Sequence, residues 1–564
     1  MSKYIVDQQY EKYTFEDQAV WRYIMRQLKF FLKDHAHPSY VKGLEKTGIT
    51  INEIPRISEM DQKMRSIGWG AVSVNGFIPP VPFMEFQAKG YLPIASDLRT
   101  IEHIAYTPAP DIVHEAAGHA PLLVEEEFTR YLREYASIAS KAIINKEDVD
   151  LYLAIRKLSD IKENPDTPPE EIKKAEQHFF DVKNNMGSPS EASQLTRMTW
   201  WTSEYGLIGD MKNPKIYGAG LLSSIGEARE CLKPHVKKIF LTVDCVNYGY
   251  DITEPQPQLF VTPNFSHLLD VLYEFRDQMA FVVGGIEGLK KAQKAQTITT
   301  VELDSGLQIS GRLVRFDEFR DQVAFIKFQS GCQLSYGNQQ LQGHGNDYHK
   351  EGYSTPLGRL EGSHKPLYKM TSDERQRLGL RINQEVSLKF QSGFLLKGTL
   401  KDILFVDEKP VVLTFNPCLV KRGDELIYDP SWGPFDLGLG EKVVSVFGGP
   451  ADREAYKEEN EFKPVLAPIK ELTAEKKKDD AFYKKVRQLR SEKKKSHWSS
   501  LTEEYFQDFS HLWLPGLELV ELAYELDIEE SQRQAFEKKL KTLPFSKESK
   551  KYLEDGLLIA NQKL

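Results

Sequence analysis

Cysteine is scarce. The chain has four in 564 residues, Cys231, Cys245, Cys332 and Cys418, and no two form a CxxC pair. That excludes a disulfide framework or a thiolate metal ribbon and predicts reduced thiols in a cytoplasmic protein. Long apolar runs are missing too. The most apolar stretch, residues 279 to 283, is far shorter than the roughly 20 residues of a membrane-crossing helix, and residues 1 to 13 are polar, without the apolar core of a signal peptide. There is no excess of positive charge either: the net charge of -8 is spread along the chain, so no nucleic-acid surface is expected. What remains is a globular composition, 40% hydrophobic and 28% charged, in a chain long enough for two or three domains.

One stretch concentrates chemistry: Pro110-Asp111-Ile112-Val113-His114-Glu115-Ala116-Ala117-Gly118-His119-Ala120-Pro121. Asp111 can cap a helix here, while Gly118 and Pro121 mark where regular helix should fail. Neutral imidazole is a good ligand for iron(II) or zinc, and a pair of histidines needs a third donor. Glu204, in Trp200-Trp201-Thr202-Ser203-Glu204-Tyr205-Gly206, is the candidate. Two histidines and a carboxylate on one face of an ion leave the other face open, as in non-haem iron(II) oxygenases. Zinc peptidases place their histidines four apart, about 40° around a helix, whereas five apart is about 140°. An ideal α-helix could not aim both at one ion, so His119 is expected where the backbone leaves α-helical geometry. On the donors alone, a zinc hydrolase with a metal-bound water is a competing reading. A non-enzymatic scaffold attached to a decayed enzyme is another.

Four motifs occur in order: Tyr106-Thr107-Pro108-Ala109-Pro110-Asp111; His114 to His119 with Pro121-Leu122; the segment around Glu204; and Tyr217-Gly218-Ala219-Gly220-Leu221-Leu222-Ser223-Ser224. Together they resemble the pterin-dependent aromatic amino acid hydroxylases, most of all the bacterial phenylalanine 4-monooxygenases, over about residues 10 to 285. The resemblance implies a mainly α catalytic domain that uses iron(II), a tetrahydropterin such as tetrahydrobiopterin, and dioxygen to hydroxylate a free aromatic amino acid. Phenylalanine is the expected substrate, with tyrosine and tryptophan as alternatives. It implies His114, His119 and Glu204 as iron ligands, and Gly76, Phe77, Ile78 and Phe83 as the pterin site. Arg99 is implied as the substrate-carboxylate clamp, with Thr107 and Ser223 as helpers. Trp200 and Tyr205 would orient the ring, and Glu115 would bond to pterin or water. A guanidinium suits the clamp because its fork makes two parallel hydrogen bonds. Tyr205 stands where a phenylalanine is usual in the family, and Thr199 where animal relatives have a tyrosine. No amino-terminal regulatory module is expected.

The remaining chain reads by pattern. Residues 10 to 35 carry Phe15, Val20, Trp21, Ile24, Met25 and Leu28 at helical spacing, with Thr14 and Asp17 as a capping box. Residues 68 to 93 read as loops and short strands, with Pro79, Pro80 and Pro82 stiffening a loop that ends in Phe83. Residues 141 to 188, charged and broken by Pro165, Pro168 and Pro169, read as an inserted helical hairpin within a catalytic domain of residues 1 to 290. Residues 291 to 455 alternate apolar and polar positions and form a β-rich domain with an internal repeat. Lys327-Phe328-Gln329-Ser330-Gly331 recurs as Lys389-Phe390-Gln391-Ser392-Gly393, and Ser305-Gly306 with Gly311 and Leu313 echoes Ser392-Gly393 with Gly398 and Leu400. Gly343-His344-Gly345-Asn346-Asp347-Tyr348-His349 reads as a polar loop. Residues 456 to 564 form a charged helical region, whose run Leu512, Trp513, Leu514, Leu517, Leu519, Val520 and Leu522 must pack on a helix, the β region or a second subunit.

Overall fold

Thr14 starts the first helix, Phe15–His35, by a reciprocal cap: its hydroxyl accepts from Asp17 N at 3.0 Å, and the Asp17 carboxylate accepts from Thr14 N at 2.8 Å. Val20, Trp21, Ile24, Met25 and Leu28 are all buried, as their spacing predicts. Two arginines of the same helix, Arg22 and Arg26, are buried as well. They meet Glu521 on the helix Trp513–Glu525. Arg22 Nη1 pairs with Glu521 Oε2, Arg26 Nε lies 2.9 Å from Oε1, and Arg490 Nη2 lies 3.6 Å from Oε2. Burial would raise the Glu521 carboxyl, but the three guanidinium groups hold it below its ordinary value. Trp513 packs edge-on against Tyr23, ring centroids 5.2 Å apart. The apolar run of the tail is therefore covered within its own chain, by the other helices of the tail and by the opening helix.

The computed structural model describes residues 4–74, 78, 80–105, 110–163, 167–250, 255–456 and 472–562. Gly76, Phe77 and Thr107, all expected in the site, lie outside the described residues. Contacts group the chain differently from composition. One unit comprises Met1–Ser137, Arg197–Val271 and Lys463–Leu564, the other Ile138–Thr196 and Leu272–Phe462. The helical tail thus joins the unit that holds His114, His119 and Glu204, and the charged hairpin falls in the same unit as the β region.

In the first unit, β1 (Gly70–Val74) and β2 (Tyr91–Ala95) pair in parallel, joined through the helix Pro80–Ala88. That helix corrects the expectation of a stiff loop. Pro80 and Pro82 sit in its first turn, where backbone N–H groups have no intrahelical partner and proline is tolerated. Phe83 therefore stands on a helix, half-buried. A second sheet has the order β4-β3-β6-β5, from β3 (Leu207–Ile208), β4 (Lys215–Ile216), β5 (Lys237–Phe240) and β6 (Gln258–Thr262).

In the second unit, the helices Lys146–Glu163 and Pro169–Asn184 pack on each other as the hairpin. The β region forms two sheets. The first has the order β10-β9-β8-β7-β17 with β11 on β9, from β7 (Ile298–Leu303), β8 (Leu307–Phe319), β9 (Gln322–Tyr336), β10 (Gln339–Gln340), β11 (Gly352–Pro356) and β17 (Val443–Gly448). The second has the order β12-β13-β14-β15 with β16 on β14, from β12 (Glu385–Lys389), β13 (Phe394–Val406), β14 (Lys409–Arg422), β15 (Glu425–Tyr428) and β16 (Phe435–Gly438). Each sheet centres on a long hairpin closed by two residues of positive φ, Arg320-Asp321 in one and Asp407-Glu408 in the other, the turn whose twist suits paired strands. Gly311 and Gly398 both lie at register shifts in those hairpins. The pentapeptide echo occupies unlike positions. Lys327 to Gly331 lies within β9, whereas Lys389 ends β12 and the residues after it turn into β13. Alternating polar and apolar residues suit any half-buried strand, so such an echo carries no register.

Candidate metal centre

His114 and His119 lie on a π-helix, Val113–His119. Its i→i+5 hydrogen bonding widens each turn, so residues five apart return to nearly one face. This is the departure from α-helical geometry that the spacing requires. The two Nε2 atoms are 3.2 Å apart. Glu204 ends a second π-helix, Trp200–Glu204, and its Oε2 and Oε1 lie 3.3 Å from His114 Nε2 and 3.2 Å from His119 Nε2. Ligands bonded to one ion at about 2.1 Å stand roughly 3.0–3.4 Å from each other. The three side chains fit a single divalent ion without rearrangement.

Close backbone approaches fix this arrangement. A Cβ on Gly118 would meet Ala219 O at 2.6 Å, and one on Gly218 would meet Glu204 O at 2.4 Å. Those glycines let both π-helices press against the segment that carries Ser223. Ser223 Oγ lies 3.1 Å from His114 Nδ1 and donates to Ala219 O at 2.7 Å. Tyr40 donates to Ala117 O at 3.1 Å, satisfying a carbonyl inside the first π-helix. Burial would raise Glu204, but His119 and His114 hold it well below the usual carboxylate range. Glu115 also has an oxygen within 4.8 Å of ligand nitrogens on both histidines, but Glu204 is nearer. Burial, reinforced by the negative charges of Glu204 and Asp111, pushes Glu115 up to about 8. Its Oε2 and the Trp200 Nε1 are buried with no hydrogen-bond partner among the described residues, as fits a place for a bound group.

Arg99 is buried, and its fork is engaged. Nε and Nη2 each donate to Asp111 at 2.8 Å, and Nη1 donates to Ser223 O at 3.1 Å. Of five N–H groups, three are engaged by Asp111 and Ser223 and two remain for a ligand. Asp111 also accepts from His114 N at 3.0 Å, the cap predicted from sequence. Burial opposes its ionisation, yet Arg99 keeps its carboxyl below the ordinary value. Trp200 is sandwiched between Tyr205, ring centroids 4.6 Å apart, and Tyr250, 4.2 Å apart. Both indole faces are covered, so Trp200 can present only its edge. Ile78 is buried.

Two residues of the site escape the sequence reading. Asp111 is recognised only as a cap, although a buried arginine demands a carboxylate. Tyr250 is remote in sequence from Trp200 and gives no local signal.

The sequence model of the family described as biopterin-dependent aromatic amino acid hydroxylase matches residues 5–152 and 182–283, skipping part of the hairpin. Among its members, the phenylalanine-4-hydroxylase of Mesorhizobium japonicum is 29% identical over 304 residues, covering 53% of this chain and 91% of the relative. That of Chromobacterium violaceum is 28% identical over 271 residues, covering 47% and 76%. A crystal structure of the C. violaceum enzyme with bound iron(III) and 7,8-dihydrobiopterin aligns at 25% identity over 49% of this chain and 85% of that one, with a TM-score of 0.39.

Proposed function

We propose that this chain is an iron(II)- and tetrahydropterin-dependent monooxygenase that hydroxylates the ring of a free aromatic amino acid, with phenylalanine as substrate and tyrosine as product. The observation that carries the reading is the set of donor atoms 3.2–3.3 Å apart from His114, His119 and Glu204, within residues matched to the hydroxylase family. His114, His119 and Glu204 would hold the iron. Bound there, iron(II) with a tetrahydropterin supplies the activation of dioxygen for insertion of one oxygen atom into the ring.

The chain's own residues prepare that step. Ser223 turns the His114 imidazole so that Nε2 faces the ion, the orienting role of an outer hydrogen bond. Asp111 locks the Arg99 guanidinium, and the two remaining N–H groups receive the substrate carboxylate, so that the ring is held near the metal. Phe83 and Ile78 would line the pterin site, for which Gly76 and Phe77 are also expected, as Thr107 is for the substrate; these last three lie outside the described residues. The Trp200 edge and Tyr205 would position the ring, and Glu115 would hydrogen-bond a bound pterin or water. Four buried cysteines, none in a CxxC pair, suit a reducing, cytoplasmic compartment. The apolar face of the tail is used within its own chain, so oligomerisation through that face is not part of the proposal.

Anaerobically purified full-length chain loaded with iron(II) should convert phenylalanine to tyrosine with matching tetrahydropterin consumption. Folded, iron-loaded protein that makes no hydroxylated product from phenylalanine, tyrosine or tryptophan would overturn the reading.

A further inference from the structure

The second unit holds a cluster that the hydroxylase reading does not use. His344 and His349 are five apart in a glycine-rich loop, and the fold supplies the carboxylate missing from that loop: Asp436, on β16. Backbone bonds fix both histidines against β9, since Leu334 N donates to His344 O at 3.0 Å and Cys332 N donates to His349 O at 3.1 Å. Gly343, at φ +82°, gives the loop the left-handed turn it needs. All three side chains are buried, with 9, 8 and 5% residue exposure for His344, His349 and Asp436.

The distances admit an ion between the three side chains as well as a hydrogen bond between the two imidazoles. His344 Nδ1 and His349 Nε2 are 3.1 Å apart, and Asp436 Oδ2 lies 3.9 and 4.0 Å from them. The last two are too long for hydrogen bonds, yet the oxygen faces both nitrogens. A point equidistant from the three atoms lies about 2.1 Å from each, within the range of about 2.0–2.2 Å for zinc bonds to imidazole and carboxylate. Asp436 is also oriented as a ligand would be. Its cross-strand partner Thr414 donates to Oδ1 at 2.6 Å, and the Tyr348 hydroxyl bonds to the same carboxylate. Such outer hydrogen bonds are the usual support of metal-binding carboxylates.

We propose that His344, His349 and Asp436 bind a divalent borderline metal ion such as zinc(II), a second metal site that fastens the loop after β10 to the second sheet. The site stands on its own geometry, so failure of the hydroxylase reading would leave it untouched. The test uses the full chain carrying His119→Ala and Glu204→Ala, which removes the first cluster. Titrated with zinc(II) or cobalt(II), this protein should bind one equivalent, with cobalt giving visible ligand-field bands and zinc raising Tm. Adding His349→Gln or Asp436→Asn should weaken binding more than about 100-fold and abolish the Tm rise, since loss of a ligand exceeds the 10- to 100-fold cost of losing an outer partner. Circular dichroism of the metal-free proteins establishes that they fold alike. No bound equivalent in the first variant, or equal binding after His349→Gln, would overturn the proposal and leave a hydrogen-bonded polar cluster.

Discussion

Two clusters in this chain use the same donors, two imidazoles five residues apart and a carboxylate remote in sequence, and they differ in how the backbone presents them. At His114 and His119 the widened turn of a π-helix brings the imidazoles together. At His344 and His349 a glycine-rich loop bonded to β9 does so. In the first cluster Glu204 keeps 18% of its side chain accessible, and Glu115 Oε2 has no hydrogen-bond partner among the described residues. In the second, Asp436 keeps 3%, and both its oxygens have neighbours. Equal donor sets therefore need not mean equal chemistry. Access and spare polar groups suit the first to exchange of ligands and turnover, and closure suits the second to holding structure.

The sharpest break of this comparison is at the ligands. His119→Ala or Glu204→Ala should lower iron content and phenylalanine turnover more than about 100-fold, whereas Asp436→Asn should leave the iron content of the first cluster at the parent value. Metal analysis with a turnover assay reads both.

The next effect is on the frame of the first cluster. Glu521→Gln would leave Arg26 buried without its carboxylate and Arg22 with Glu525 alone, and loss of one partner of a buried pair costs about 3–5 kcal/mol. Urea denaturation measures it. Composition suggests that residues 1 to 290 could fold alone, but the tail buries Trp513 and Glu521 against the opening helix. Removing residues 463 to 564 should therefore give aggregated protein by size-exclusion chromatography.

The orienting hydroxyls come third. Ser223→Ala and Thr414→Val should each weaken metal binding at their own cluster by about 10- to 100-fold. Competition with a chelator would expose any cross-effect and so break the pairing of roles.

The smallest effect is a pH dependence. Burial, with Glu230 adding to it, raises Glu227 to about 7. A carboxyl raised on folding holds its proton more tightly in the folded state. Its contribution is present at low pH and fades as pH climbs from about 4.5 through about 7. Glu227→Gln should raise Tm at pH 8 and leave it unchanged at pH 4, as calorimetry would record.

Local pattern in the sequence determined a great deal here. The opening helix with its cap, the charged hairpin, the long β hairpins and the pair His114 and His119 are legible because helix caps, apolar periodicity and ligand chemistry act over a few residues, whereas nothing local ties the remote Glu204 to that pair. Even the need for non-α backbone at His119 follows from the spacing alone. Other features were decided by tertiary structure. Asp436 meets His344 and His349, Asp111 takes the Arg99 fork, Tyr250 covers Trp200, and Glu521 meets Arg22. Each joins residues whose own neighbourhoods give no sign of the partner, because a buried charge or ring demands neutralisation or cover without specifying which segment supplies it. The proline-rich stretch before Phe83 teaches the same lesson at short range: proline starts a helix as readily as it stiffens a loop, and the packing of β1 and β2 around it decided which.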